Sequence, residues 1–327
     1  MLTFFIFIFL AFQKEQIYAN LPYKDIPRRS TMKIDYCKPL LTITIQEDCT
    51  IDTILEYYKQ SKKNRYLLYK DEKIRVNQVV CKQNRELSKD DLLQIYIDVK
   101  SDEDDMIEPD FSDLSVCYED DIVLVVNKPS HLLVHSDGVN TAHTLSNRVQ
   151  GYFMMEGKQN LVRPIHRLDY ETSGLVFFCK LPFFQAYFDE MLKEKKIYRE
   201  YDAICEGIIN QKKQTINQPI GKDRHESNKM RISKTGKEAK TQISTIKKYK
   251  TYTWVHARLF TGRTHQIRVH MASIHHPLLA DSIYGSTSSL ISRHALHASS
   301  LTFYHPIKQE MIQVTCELPS DMQTLLK

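Results

Sequence analysis

The stretch that decides the fold is PIHRLDYETSGLVFFCK, Pro164 to Lys180. Its second half, LVFFCK, is a short apolar run and reads as a buried strand. Thr172, Ser173 and Gly174 form a small-residue turn that feeds it. One carboxylate, Asp169, is left at the mouth of that strand beside His166 and Arg167. A glycoside hydrolase would need two carboxylates facing one bond. Glu171 is the nearest candidate, and on an extended chain it would point away from Asp169. The lone aspartate is instead a carboxylate with a cation nearby to favour its charged form. Such a group can act as a nucleophile. For an Arg-x-Asp triplet taken by itself, a structural ion pair in a turn is the reading to prefer.

Working outward, DDIVLVVNKP (Asp120–Pro129) is a second continuous apolar run that ends at proline. Pro182 stands where a helix can start, and Phe184, Tyr187, Phe188, Met191 and Leu192 follow at helical spacing. These aromatics read as core. REYDAICEG is a strand closed by Gly207, WVHARLFTG alternates into a turn, and THQIRVHMASI places Ile267, Met271 and Ile274 on one helical face. Strands and helices alternate without a βαβ rhythm or a glycine-rich phosphate loop. The expected class is therefore α+β, with a mixed, largely antiparallel sheet and flanking helices.

A second stretch rich in polar chemistry is FTGRTHQIRVHMASIHHPLLADSIYG, Phe260 to Gly285. It carries Arg263, Arg268 and four histidines. His265 and His270 miss the helical spacing that lets two imidazoles share a metal, and no acidic ligand accompanies them, so no metal site is expected. Arginines here suit phosphate or carboxylate, which guanidinium grips in pairs of hydrogen bonds.

Five strings, HRLDYETSGL, NKPSHLLVH, TGRTHQIRVH, DSIYG and LHASSLTFYHP, together resemble the motifs of the RluA-type pseudouridine synthases, in consistent order from about residue 112 to the C-terminus. The resemblance implies a pseudouridine synthase fold and an isomerase that acts on uridine in RNA. Such an enzyme breaks the N-glycosidic bond, turns the base and rejoins it through carbon 5, with neither metal nor organic cofactor. It also implies roles. Asp169 is the catalytic aspartate, and Arg268 is its partner from the far end of the domain. Tyr201, in REYDAI, is the active-site tyrosine, placed to stack on the base and take the carbon 5 proton. Arg167 fills the helix when the target base leaves it. Leu296 packs against the base or Tyr201. Arg263 and His166 complete the substrate-binding set, with His166, Thr172, Ser173 and Gly174 shaping the loop. Two positions depart from the family pattern. His131 stands where the family has glycine, which is unfavourable if the site needs a positive φ, and Arg199 replaces a lysine.

The rest of the chain sets the frame. It has 327 residues, 42% apolar and 26% charged, and a net charge of +5, which permits a polyanionic partner without requiring one. Seven scattered cysteines without a CxxC pair argue against a disulfide framework or a thiolate zinc site and fit a reducing cytoplasm. Residues 1–35 read as an N-terminal extension. Its apolar start is too short for a membrane span and lacks the leading positive charge of a secretory signal, so residues 1–31 are expected to be a start-site artefact or a poorly ordered segment. Residues 36–100 form a small unit in which Thr50 caps a helix with Ile51, Ile54, Leu55 and Tyr58 on one face. Lys59, Lys62, Lys63 and Arg65 follow. This order resembles the S-four-type RNA-binding domain. The acidic segment at 101–111 reads as a solvated linker, and 112–327 as the catalytic domain. The expected partner is RNA, ribosomal before transfer RNA, with the chain a monomer. Two competing readings are an RNA-binding factor on the same fold without turnover, and a glycosylase that releases free uracil. The second lacks a carboxylate placed to activate water.

Overall fold

The computed structural model describes residues 33–97, 107–139, 142–158, 162–226 and 228–327. The expectation for residues 1–31 falls outside them, as does most of the acidic segment.

One large sheet carries the catalytic half. Its strands run in the order Lys213–Asn217, Lys240–Lys248, Tyr252–Leu259, Tyr198–Glu206, Leu296–His305, Ser173–Cys179, Val123–Lys128 and Val116–Glu119. Every pairing along that path is antiparallel except one, where Ser173 pairs with His297 and Gly174 with Ala298 in parallel. The sheet is thus mixed and largely antiparallel. The strand read from LVFFCK is an interior strand of it, between Leu296–His305 and Val123–Lys128, and is buried along its whole length, as a run without polar alternation requires.

Two cores flank the sheet. One face buries Leu124, Val126, Val176, Phe178 and Met271 beneath the site. The other stacks Phe177 on Phe303 at 4.6 Å and Phe188 edge-on to Phe177 at 4.9 Å. Phe188 belongs to the helix Pro182–Lys193, whose buried face is Phe183, Phe184, Tyr187 and Phe188. That helix starts at proline, where the missing N–H is no loss.

The front unit packs on the same helix. Its five-stranded sheet, in the order Lys33–Cys37, Leu40–Thr44, Leu92–Tyr96, Ile74–Val76 and Val79–Val80, covers two short helices. Thr50 caps Ile51–Tyr57 and Ser61 caps Lys62–Lys70, each accepting a backbone N–H three residues on. KIRVNQVV, Lys73 to Val80, forms a hairpin in which Ile74–Val76 pairs with Val79–Val80. Asn77 and Gln78 both take positive φ and turn the chain between its halves. Tyr58 meets Phe183 and Phe184 at 5.3 and 5.6 Å, and Gln60 Nε2 donates to the Phe183 carbonyl at 2.7 Å. The aromatic helix therefore faces the large sheet on one side and the front unit on the other. Between the units, Asp110 N donates to the Asn147 carbonyl and Asn147 Nδ2 to that of Glu108, so residues 108–110 run along the helix Leu145–Met155.

Candidate active site

Asp169 sits in the turn that precedes the strand Ser173–Cys179. Thr172 N donates to the Asp169 carbonyl at 3.1 Å and closes that turn. Gly174 follows with φ of +114°, and a β-carbon there would lie 2.3 Å from the Ala298 carbonyl. Only glycine lets the aspartate loop approach the parallel strand so closely. Three further contacts fix the loop. Thr172 Oγ1 lies 2.7 Å from His294 Nε2, Glu171 Oε2 lies 3.0 Å from His294 Nδ1, and Arg293 Nη1 donates to the Glu171 carbonyl at 3.1 Å. The His294 contact, ahead of opposing burial, lowers the Glu171 carboxyl to about 2.

A cavity of about 280 Å³ opens over this turn. Asp169, Tyr201, Arg268, Arg167, Leu296, Arg263 and His166, all singled out from sequence, line it. Each arrives from a different element. Tyr201 lies on Tyr198–Glu206, paired with Ala257 on one side and Ala298 on the other. Alanine neighbours leave its ring free above the sheet. Leu296 begins the next strand, opposite Ala203. Arg268 projects from the helix Gln266–Ser273. Its Nη1 stands 3.4 Å from Asp169 Oδ2, although the two are 99 residues apart in the chain.

The geometry alters part of the sequence reading. Among the described residues, Arg268 is the cation within 4 Å of Asp169, and the His265 imidazole, its pKa lowered by burial, lies 3.8 Å away. Arg167 is exposed at the cavity wall and does not supply the charge beside the aspartate that the HRLD string had raised. The principal partner of Arg268 is also another residue. Asp281 takes its Nε at 2.7 Å and its Nη2 at 2.8 Å, both within the core. Asp281 lies in the DSIYG string but carried no assignment, because nothing local shows that a turn thirteen residues on folds back beneath the helix. Burial opposes the charge on Arg268, and the Asp281 hydrogen bonds and both carboxylates outweigh it, so its pKa is raised.

Burial shapes the other groups. It pushes the Tyr201 phenol up, with Arg199 pulling the other way. It holds His166 down at about 3, helped by the Arg199 charge, so the imidazole is neutral. Lys128, from the NKP string, is fully buried, and its Nζ donates to the carbonyls of Pro129, Leu132 and Tyr170 at 2.9, 2.8 and 3.1 Å. It ties the 129–132 turn to the aspartate loop, a role the sequence did not reveal. Burial draws its pKa to about 7, against the pull of Asp169. His131, next to this tie, has φ of 58°, the conformation glycine takes without strain. Among the described residues no group of three His, Cys, Asp or Glu is placed to hold a metal, and no helix is long and apolar enough to cross a membrane.

An aspartate facing an arginine, over a tyrosine and a leucine and beneath a basic rim, can receive one planar base and stabilise charge on the attached sugar. The RNA pseudouridylate synthase family model matches residues 122–273, which contain both facing residues. The chain is 37% identical to the Bacillus subtilis RNA pseudouridine synthase YhcT over 258 residues, 78% of this chain and 85% of that protein.

The chain belongs to the RNA pseudouridine synthase family.

Ribosomal large subunit pseudouridine synthase D of Escherichia coli K12 is 31% identical over 310 residues, 88% of this chain and 93% of that one. Among solved structures, human RNA pseudouridylate synthase domain containing 1 superposes with a TM-score of 0.54 at 26% identity, over 65% of this chain and 86% of its own. This pseudouridine synthase is thus an isomerase that acts on uridine in RNA.

Proposed function

We propose that this synthase modifies ribosomal RNA, with Asp169, Tyr201 and Arg268 as its reacting set. The observation that carries the assignment is the single cavity in which Asp169 faces Arg268 beside Tyr201 and Leu296. The ribosomal substrate is supported by relatives named for the large ribosomal subunit that match most of the chain.

In this reading the target uridine leaves its stack and enters the cavity, since the reacting bond is out of reach inside a helix. Arg167 occupies the gap it leaves. The base lies against Tyr201 and Leu296, and neutral His166 shapes the wall. Arg263 is held by a bond from its Nε to the Glu238 carbonyl at 2.9 Å and takes the backbone phosphate. The Asp169 charge stabilises positive character at the anomeric carbon as the C1′–N1 bond breaks. The base turns and C5 bonds to C1′; Tyr201 takes the C5 proton as its phenol gives up its own, and that released proton balances the one gained at N1. Atoms are conserved and no water is consumed.

The front unit docks RNA. A shallow depression on it, about 590 Å³, is lined by Lys62, Arg65, Tyr66 and Lys70. Cations with an exposed aromatic ring among them suit phosphate and base together. The protein acts as a monomer in the cytoplasm.

The test is to incubate the purified chain and an Asp169→Ala variant with unmodified total RNA and to map pseudouridine by chemical labelling and sequencing. Sites made only by the unmutated chain would establish the activity and name its substrate. If both proteins bind RNA and neither makes pseudouridine, the fold serves as an RNA-binding factor on these substrates. Release of free uracil would point to a glycosylase.

A further inference from the structure

Arg199 stands apart from the other charged groups of the cavity. It lies two positions before Tyr201 on the strand Tyr198–Glu206, so both side chains rise from the same face of the sheet. Both line the cavity that holds Asp169. The alternate residues face the other way, where Asp202 accepts from Trp254 Nε1 at 2.8 Å and Glu200 lies 3.7 Å from His256.

Arg167 is exposed at the rim, and three other arginines near the site are engaged. Arg268 is gripped by Asp281 and faces Asp169, Arg293 is gripped by Asp321 at 2.8 and 3.1 Å, and Arg263 is bonded to the Glu238 carbonyl. Among the described residues no carboxylate comes within ion-pair distance of Arg199, and its Nε is buried without a hydrogen-bond partner. Its titratable neighbours in the cavity, the Tyr201 phenol and the His166 imidazole, are both held neutral by burial and bring it no counter-charge. Gly262 makes room for it. A β-carbon there would lie 2.7 Å from Arg199 Nη1 and 3.0 Å from Nη2. An unpaired cation in a low-dielectric pocket is unfavourable in the free protein. A ligand that brings negative charge to that spot relieves it.

The reaction brings such a charge. When the C1′–N1 bond breaks, its electron pair leaves with the base, and the uracil ring becomes an anion spread over N1, O2 and O4. When C5 bonds to C1′, the same electrons return to the sugar. The C5 proton then leaves and N1 is protonated. A route in which Asp169 first adds to the base also places negative charge on the ring oxygens. Resting on the proposed reading of Tyr201 as the platform for the base, we propose that Arg199 is a catalytic residue that stabilises the anionic uracil through its carbonyl oxygens. A preorganised donor aimed at developing charge in a dry site contributes mainly to the transition state and little to binding.

The experiment compares the unmutated protein with Arg199→Met and Arg199→Lys in single-turnover reactions at saturating protein. The substrates are an RNA carrying the mapped uridine and the same RNA carrying 5-fluorouridine there. Fluorine makes the base a more stable anion and removes the C5 proton, so loss of the glycosidic bond is read apart from deprotonation. Arg199→Met is expected to slow the uridine reaction by about 10²–10³-fold, with RNA affinity unchanged. On 5-fluorouridine the deficit should shrink to on the order of tenfold, because less stabilisation is needed. Arg199→Lys, which keeps the charge, should recover most of the rate, and its melting transition checks that the strand is intact. Equal deficits on both substrates would mean that Arg199 only positions the base. A deficit that vanishes on 5-fluorouridine would mean that it acts through Tyr201 on the C5 proton. A loss of affinity as large as the loss of rate would make it a phosphate contact. Any of these overturns the proposal. Turnover by the unmutated protein, run alongside, tests the underlying reading separately.

Discussion

Asp281 holds Arg268 by two hydrogen bonds, Nε to Oδ2 at 2.7 Å and Nη2 to Oδ1 at 2.8 Å, and leaves Nη1 to face Asp169. The guanidinium is thus fixed from behind by a buried carboxylate while its free edge serves the half-buried one. Tyr284 stands beside it, with the guanidinium carbon 5.2 Å from the ring centre. The DSIYG turn therefore works as a mount for Arg268. An arginine held by Asp169 alone, at 3.4 Å, would have rotamers to spare.

Asp281→Asn keeps the shape and removes the charge. It leaves a buried guanidinium short of its main counterion, which should destabilise the fold by on the order of 3 kcal/mol. The free edge of Arg268 then loses its aim, and single-turnover rate should fall by about 10²-fold, as for other small misplacements of reacting groups. Urea unfolding and rate measurements on the same preparation check both. An unchanged rate at reduced stability would show that Asp281 serves the fold alone.

Glu171 gives a pH signature. The contact with His294 lowers its carboxyl from the ordinary glutamate range to about 2. A carboxylate depressed in the folded state contributes stability that is fully present above its unfolded pKa and is lost as pH falls through the folded one. Glu171→Gln should therefore melt below the unmutated protein at pH 6, and the two should converge between about pH 4.5 and 2. Thermal scans across that range measure it. A constant gap would mean that Glu171 acts through shape and not through charge.

The strands of the site were legible because they are buried apolar runs or clean alternations, as LVFFCK and WVHARL show. The Pro182 helix was legible from its spacing, and Thr50 as a cap from the apolar residues after it. The partners of the site residues were not. A carboxylate is equally at home on a surface, and Asp281 and Glu171 gain their meaning only when distant loops meet. Lys128 sat in a recognised string, yet a lysine reads as exposed by default. Its burial depends on three carbonyls from two separate turns. The turn in KIRVNQVV is not legible either, because Asn77 and Gln78 take left-handed backbone without the glycine that announces such a hairpin.

Gly174→Ala tests the closeness on which the aspartate loop depends. The added methyl would meet Ala298 backbone atoms at 2.3, 2.5 and 2.8 Å, and φ of +114° is unfavourable for any L side chain. Backbone is the obstacle, so no side chain can swing aside. The parallel pairing of Ser173 with His297 should open, with a loss on the order of 3 kcal/mol or more. Hydrogen exchange at these strands, together with denaturant unfolding, reads it. Native protection at His297 and Ala298 would contradict the assigned contact.

RNA docking by the front unit makes a prediction in salt. Among the described residues Lys62 and Lys70 enter no ion pair, whereas Arg65 is held by Asp52 and Glu56 at 2.9 and 2.6 Å and Lys82 by Glu72 at 2.8 Å. The two unpaired lysines are the cations available to phosphate, and Tyr66, 63% exposed between them, is the ring available to a base. Each phosphate contact adds roughly 0.7–0.9 to the slope of log affinity against log salt. The Lys62→Ala, Lys70→Ala double variant should therefore flatten that slope by about 1.4–1.8. Tyr66→Ala should weaken binding by about 1–3 kcal/mol and leave the slope as it was, because stacking releases no counterion. Filter binding of the mapped RNA substrate between 50 and 200 mM salt, roughly the range over which such contacts show, separates the two effects. A double variant with an unaltered slope would move the RNA path off this face of the front unit.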